Sequence, residues 1–167
     1  WGEAFGDRGC FYVSYYHVNI GLHNIVYTVT EAPDNYDRIY QTDLCGWIGQ
    51  MGYGQDGPLG NAWFANIYEA AGNEALKAIG FYATGPDTSY EVYIAKGGDL
   101  EKREKAAEGT MEHAGYYTVP LEQKWILEAG ELFGVIVKIN TPGKDHPVAI
   151  EYDAQDGKCS IDLTDGE

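Results

Sequence analysis

Between residues 75 and 96 the sequence ALKAIGFYATGPDTSYEVYIAK alternates with a period of two. Leu76, Ala78, Gly80 and Tyr82 fall on one side of an extended chain, and Lys77, Ile79, Phe81 and Ala83 fall on the other. After Gly85-Pro86-Asp87 the alternation resumes, with Tyr90, Val92 and Ile94 set against Glu91, Tyr93 and Ala95. The pattern predicts two strands joined as a β-hairpin. The first arm is mostly apolar on both sides and belongs inside a covered sheet, whereas the second sends Glu91 and Lys96 toward water. A two-layer antiparallel β-sandwich is the expected result.

Other stretches add to this picture. Residues 24–29 form a short alternating strand. Residues 63–68 form another, with Trp63, Ala65 and Ile67 on one face and Phe64, Asn66 and Tyr68 opposite. Residues 116–121 and 124–127 read as two short strands, Pro120 confining the first to an edge or a strand end because proline donates no ladder hydrogen bond. Residues 132–139 are nearly continuously apolar, as a central strand should be, so Val135 and Val137 are expected to be fully buried. Residues 147–152 supply a further strand. Residues 45–61 are too rich in glycine for a strand, since each glycine costs backbone entropy, yet they carry Trp47, Met51 and Tyr53. They read as a long loop. The charged run LEKREKAAEGTME at 100–112 has too little apolar content to anchor a full helix and reads as one or two helical turns or a mobile loop, by default a solvated connector. The fold class is therefore all-β: a jelly-roll-like sandwich of roughly eight to ten strands with little helix.

Composition agrees with this class. The 167 residues suit one domain, or one domain with an appendage, and the 14 tyrosines and 22 glycines favour strands and tight turns. A net charge of −15 repels phosphate backbones, which argues against a nucleic-acid partner. No apolar run is long enough to insert in a membrane as a helix. The chain opens on Trp1 without a signal-peptide pattern, so a piece of something longer is expected.

Catalytic spacing is missing. Cys10, Cys45 and Cys159 show no CxxC pattern, leaving open one disulfide or buried free thiols. Cys10 and His17, seven residues apart, would lie roughly 23 Å apart on an extended strand and face opposite sides. His23, His113 and His146 are isolated, with no HExxH or HxH spacing. Asp34, Asn35, Asp37 and Asp43 crowd one turn, which makes Asp34, Asp37 and Asp43 the candidate calcium ligands. The spacing is not that of an EF-hand, and turn-forming Asx chemistry accounts for the same residues without metal. No other cofactor is expected.

The opening WGEAFGDRGCFYVSYY resembles the closing segment of papain-like cysteine peptidases, where Asn-Ser-Trp-Gly is followed by Trp-Gly-Glu/Asp-x-Gly-Tyr and a last strand. Phe5 and Cys10 depart from that pattern. The resemblance places the family's catalytic Asn two positions before Trp1, and its Cys and His further upstream, so this chain is not expected to be an enzyme. It implies that residues 1–16 are the end of a peptidase domain and that residues 17–167 form a separate sandwich. Phe5, Phe11, Tyr12, Val13, Tyr15 and Tyr16 carry too much apolar surface to dangle in water and are expected to find cover.

A second resemblance follows in order. The Tyr-Asp-x-Ile-Tyr-Gln-x-Asp block at 36–43, Gly46-Trp47, Gly52-Tyr53-Gly54, the Ala-Trp-x-Ala-Asn strand at 62–66, Gly80-Phe81-Tyr82 and the Tyr-Glu-x-Tyr-Ile strand at 90–94 carry it. They are similar to the lectin-like β-sandwich domain that follows papain-type peptidase domains in bacterial and archaeal surface proteins. This resemblance implies a noncatalytic accessory module of a secreted or surface-attached peptidase. Its partners would be the upstream peptidase domain and a glycan or cell-surface protein, and its place would be extracellular or at the cell surface. The alternative is a structural module that packs on the peptidase and stabilises or spaces it. For a sugar, rings that stack on a pyranose and amides that bind its hydroxyls are wanted. Trp47, Tyr53, Asn61 and Trp63 are the candidates, in the glycine-rich loop and next to it rather than on the sheet faces.

Overall fold

The alternation becomes strand where it is strongest. The computed structural model describes residues 12–18, 26–28, 30, 32, 35–42, 46–54 and 59–152. The chain divides into two units, Trp1–Ile39 and Tyr40–Glu167, whereas the sequence reading ends the first segment at residue 16. Among the described residues eight strands form, all in the second unit: β1 Gly49–Met51, β2 Asn61–Glu69, β3 Glu74–Ala83, β4 Thr88–Lys96, β5 Glu104–Met111, β6 Gly115–Leu127, β7 Leu132–Asn140 and β8 Val148–Ile150. The protein is all-β, as its patterning predicts.

The pairing has a simple logic. β1 pairs with β8, β2 with β7, β3 with β6 and β4 with β5, every pair antiparallel. The chain is thus one long two-stranded ribbon with its tip at β4–β5, wound so that successive rungs fall alternately in two layers. One layer has the order β2-β7-β4-β5, completed by pairing of β4 with β7. Opposite it stand the β3–β6 ladder and the β1–β8 ladder, with β8 in contact with β3. This is jelly-roll order.

Residues 75–96 therefore contain the two expected strands, but they are not a hairpin. β3 pairs with β6 while β4 pairs with β5 and β7, and residues 84–87 carry the chain from one layer to the other. The reason is that both strands own an apolar inner face. Ile79, Phe81 and Ala83 of β3 and Val92 and Ile94 of β4 are all buried in one cluster, and crossing between layers stacks the faces on each other. The corner satisfies its polar groups internally. Thr84 Oγ1 donates to Pro147 O at 2.8 Å, Thr88 Oγ1 donates to Gly85 O at 2.9 Å, and Thr88 Oγ1 lies 2.9 Å from Thr141 Oγ1, all buried. Three threonine side chains thus do what a tight turn's own backbone bond would have done.

The core lies between the layers. Phe64 and Phe81 meet edge to face at 6.3 Å, and Phe81 and Tyr90 at 5.5 Å. β7, flanked by β2 and β4, is central as expected, and Val137 is fully buried. Val135 is only half-buried. It sits at the seam between the main cluster and a smaller one of Ala70, Leu127 and Phe133, and packs against both.

Other expectations are revised. The glycine-rich stretch 45–61 does hold a strand, the short β1, and Gly49 is admissible in it because the Tyr152 ring lies where a Cβ would be, 2.5 Å from its position. Residues 100–112 are not a connector. A 3-10 turn, Leu100–Lys102, whose first backbone groups are capped by the Asp99 carboxylate, leads into the edge strand β5. The two short strands over 116–127 are one, β6, which bulges where Lys77 faces residues 121–124, and Pro120 lies on an edge strand as its missing donor requires.

In the first unit, His17 N–H donates to Ser14 O at 3.0 Å and Tyr16 N–H to Ser14 Oγ at 3.2 Å, closing a turn. Tyr12, Tyr15 and Tyr16 are exposed. Residues 26–28 are irregular rather than the middle of a strand. The rest of 24–29, residues 1–11, Cys45 and the tail from 153, including Cys159, lie outside the described residues.

Candidate binding face on the four-stranded layer

Alternation along β2, β7 and β4 turns one set of side chains into the core and the other outward. With Ala62, Phe64, Val137, Val92 and Ile94 inside, the outer face carries Trp63, Lys138, Glu91 and Tyr93. Register lines up Trp63, Lys138 and Glu91 across three adjacent strands. Trp63 and Tyr93 lean over β7 from either side and stack, centroids 5.6 Å apart and planes 28° apart. The Arg103 guanidinium carbon lies 5.1 Å from the Trp63 ring and 5.8 Å from Tyr93, and Lys138 Nζ lies 5.5 Å from Trp63. Such cations are held electrostatically by the ring quadrupoles.

A bulge delivers the next cation. Between Val92 and Tyr93 the register with β5 slips, so Val92 faces Ala107 and Tyr93 faces Lys105, with Ala106 the extra residue. Without that slip Lys105 would stand opposite buried Ile94. With it, Ala106 and Ala107 both enter the core and Lys105 reaches the outer face. Its ammonium lies 3.0 Å from Glu91 and 2.8 Å from Glu108. Since Glu91 and Glu108 are directly paired across the strands, Lys105 bridges what would otherwise be a like-charge clash.

Glu91 is the hub. It accepts a hydrogen bond from Lys138 Nζ at 2.6 Å and another from the Tyr93 hydroxyl, and it pairs with Lys105. These bonds, Lys138's first, hold its carboxyl down to about 2. The contacts with Glu91 raise Lys138 and the Tyr93 phenol above their ordinary values, and Lys105 is raised first by its hydrogen bond to Glu108 and then by Glu91. Because the Glu91 pKa is depressed on folding, its contribution is complete above about 4.5 and is lost as pH falls toward 2. Glu91→Gln is therefore expected to flatten the pH dependence of urea unfolding between those values, by about 1 kcal/mol at this half-exposed surface. Wild type and variant with parallel stability curves over that window would contradict the assignment.

Next along the same face, Asn140 Nδ2 donates to Asn61 Oδ1 at 2.8 Å and Asn61 Nδ2 donates to Leu59 O at 3.3 Å. Asn61 and Trp63 thus come together, but on a sheet face rather than in the loop. Trp47 goes elsewhere. Its ring lies 5.9 Å from Tyr82, which lies 5.0 Å from Tyr116, on the outer side of the β3–β6 ladder. Tyr53 is exposed and makes no ring contact with Trp63. Asp37 is exposed, Asp34 and Asp43 lie outside the described residues, and among the described residues no three His, Cys, Asp or Glu side chains gather as a metal site.

The residues that sequence reasoning missed are Glu91, Tyr93, Arg103, Lys105 and Lys138. Only the period-two placement of Glu91 and Tyr93 on one face was a usable signal, since the bulge hides β5 and pairing across β7 is not local. What the face assembles is an aromatic platform ringed by amides and cations, groups suited to holding a ligand.

A family model described as a lectin like domain matches residues 39–167. The chain belongs to the lectin-like domain family. Comparison with curated proteins and with solved structures finds no match. The lectin-like domain takes in all eight strands and every residue of the outer face just described. A lectin-like domain is not itself catalytic, which agrees with the lack of nucleophile spacing in the sequence. Residues 1–16, with their peptidase resemblance, fall outside the match.

Proposed function

We propose that the lectin-like domain is a noncatalytic carbohydrate-binding module that seats a sugar on the Trp63–Tyr93 face of its four-stranded layer. The observation that carries this reading is the stacked pair itself, with Trp63 left 42% exposed on a sheet face. Aromatic surface normally goes inside, and a ring kept at the surface between amide and cationic groups suits the apolar face and hydroxyls of a pyranose. The peptidase-like opening segment supports a further step. In that step the module serves a secreted or surface-attached papain-like peptidase by holding it near glycan-bearing targets. One sugar ring should bind weakly, on the order of millimolar, so several copies would act together on a surface.

Retention on immobilised glycans, chosen by array, tests the reading. Trp63→Ala is expected to lower binding at least about tenfold, while Trp47→Ala, on the other layer, leaves it near wild type. Loss of binding in Trp47→Ala but not Trp63→Ala would move the site to the loop. A second reading, a spacer that packs on the peptidase without a ligand, draws on the Trp47–Tyr82–Tyr116 surface. It is favoured if no glycan binds and Tyr116→Ala weakens association with a papain-like domain.

A further inference from the structure

Among the cations on the Trp63 face, Arg103 differs from the other two. Lys138 is engaged by Glu91 at 2.6 Å, and Lys105 by Glu91 and Glu108 at 3.0 and 2.8 Å. Arg103 has one hydrogen bond, from Nη1 to Leu100 O at 3.2 Å, and a 4.0 Å approach to Glu101, a side chain that is 94% exposed. A guanidinium has five N–H donors in a planar fork, so most of Arg103's capacity is unused among the described residues. It is nonetheless held in place, against Trp63 and Tyr93 together and by the Leu100 carbonyl. A pre-placed planar cation beside an aromatic platform is the arrangement that recognises a carboxylate carried on a ring.

Charge balance sharpens the point. The chain carries a net charge of −15, with 11 Lys and Arg against 26 Asp and Glu. On this face Lys105 and Lys138 are held by Glu91 and Glu108 within 3.0 Å, whereas Arg103 meets only the largely solvated Glu101 at 4.0 Å. Arg103 is the cation least engaged by a carboxylate. The acidic remainder of the surface disfavours a long polyanion, whose many charges would extend beyond the face within a screening length of about 10 Å at 0.1 M salt. A single carboxylated residue in an otherwise neutral glycan avoids that repulsion.

Resting on the sugar-binding reading above, we infer that the domain selects a glycan bearing one carboxylated sugar, a uronic or a sialic acid. The ring lies on Trp63 and its carboxylate accepts hydrogen bonds from Arg103.

Titration with matched pairs tests this: glucuronosyl-xylobiose against xylotriose, and sialyllactose against lactose. The acidic member of at least one pair should bind at least tenfold more tightly at low salt, and the pair that shows the difference tells uronic from sialic acid. Raising salt toward 1 M, where screening shortens to about 3 Å, should close the gap. Arg103→Gln should bring the acidic-to-neutral ratio to about one, and Arg103→Lys should restore part of it, with melting temperatures confirming that both variants fold. Equal binding of acidic and neutral members, or a ratio that Arg103→Gln leaves intact, overturns the inference while the sugar-binding reading stands. Failure of all four sugars and of the wider glycan array overturns both.

Discussion

Phe133→Ala is expected to lower the stability of the lectin-like domain by about 3 to 5 kcal/mol. Phe133 lies on β7 between Tyr68 of β2 and Lys96 of β4, and is completely buried. Its ring meets Tyr40 edge to face at 5.3 Å and Tyr68 at 5.6 Å. Relaxation into the space it leaves is hindered, because Tyr40 is held at its far end. The Tyr40 hydroxyl donates to Glu74 and accepts from Ala71 N–H at 2.9 Å. When the lining cannot collapse, the cavity cost adds to the lost transfer energy, which puts this site at the upper part of the range. Urea unfolding measures it. A loss under about 1 kcal/mol would show that Phe133 does not anchor the second core cluster.

Gly60→Ala is expected to cost about 2 to 4 kcal/mol, more than a helix or strand propensity alone explains. Gly60 has φ +78°, and a Cβ there would stand 2.4 Å from the Thr141 backbone oxygen. The backbone has little freedom to yield, since Gly60 N–H donates to Lys144 O and Thr141 N–H donates to Gly60 O, each at 2.8 Å. Displacement would also reach the candidate face, because Asn61 and Trp63 follow at once along β2. Gly54→Ala is the control. It shares a positive φ, +63°, but has open space around its Cβ position, so only the backbone preference of about 1 kcal/mol is lost. Equal losses in the two variants would show that contact with Thr141 does not matter.

How far the sequence could be read follows from which interactions are local. Alternation is local, and it placed β2, β3, β4, β7 and β8 within a residue or two and sorted the side chains of β2 and β4 into their two faces. Layer assignment is not local. Residues 84–87 look like any turn, and only the burial of both Phe81 and Val92 in one cluster, with Thr88 and Thr141 paired at the corner, separates a crossing from a hairpin. β5 escaped because its bulge at Ala106 breaks the period of two and because an edge strand carries charge to discourage pairing with other chains. The candidate site suffered most. Trp47 and Trp63 are sixteen positions apart in the sequence and share a glycine-rich neighbourhood, yet they cover opposite layers. The residues that do join Trp63 come from β4, β5, β7 and the turn before β5.

Sugar binding at Trp63, on the outer face of the four-stranded layer, is open to a direct test. Indole N–H resonances of Trp47, Trp63 and Trp125 report it directly, assigned by Trp→Phe substitution and followed during titration with a glycan that the domain retains. The Trp63 signal is expected to shift in a saturable way while those of Trp47, on the other layer, and Trp125, buried in the core, stay in place. A shift of the Trp47 signal with Trp63 unmoved would contradict it.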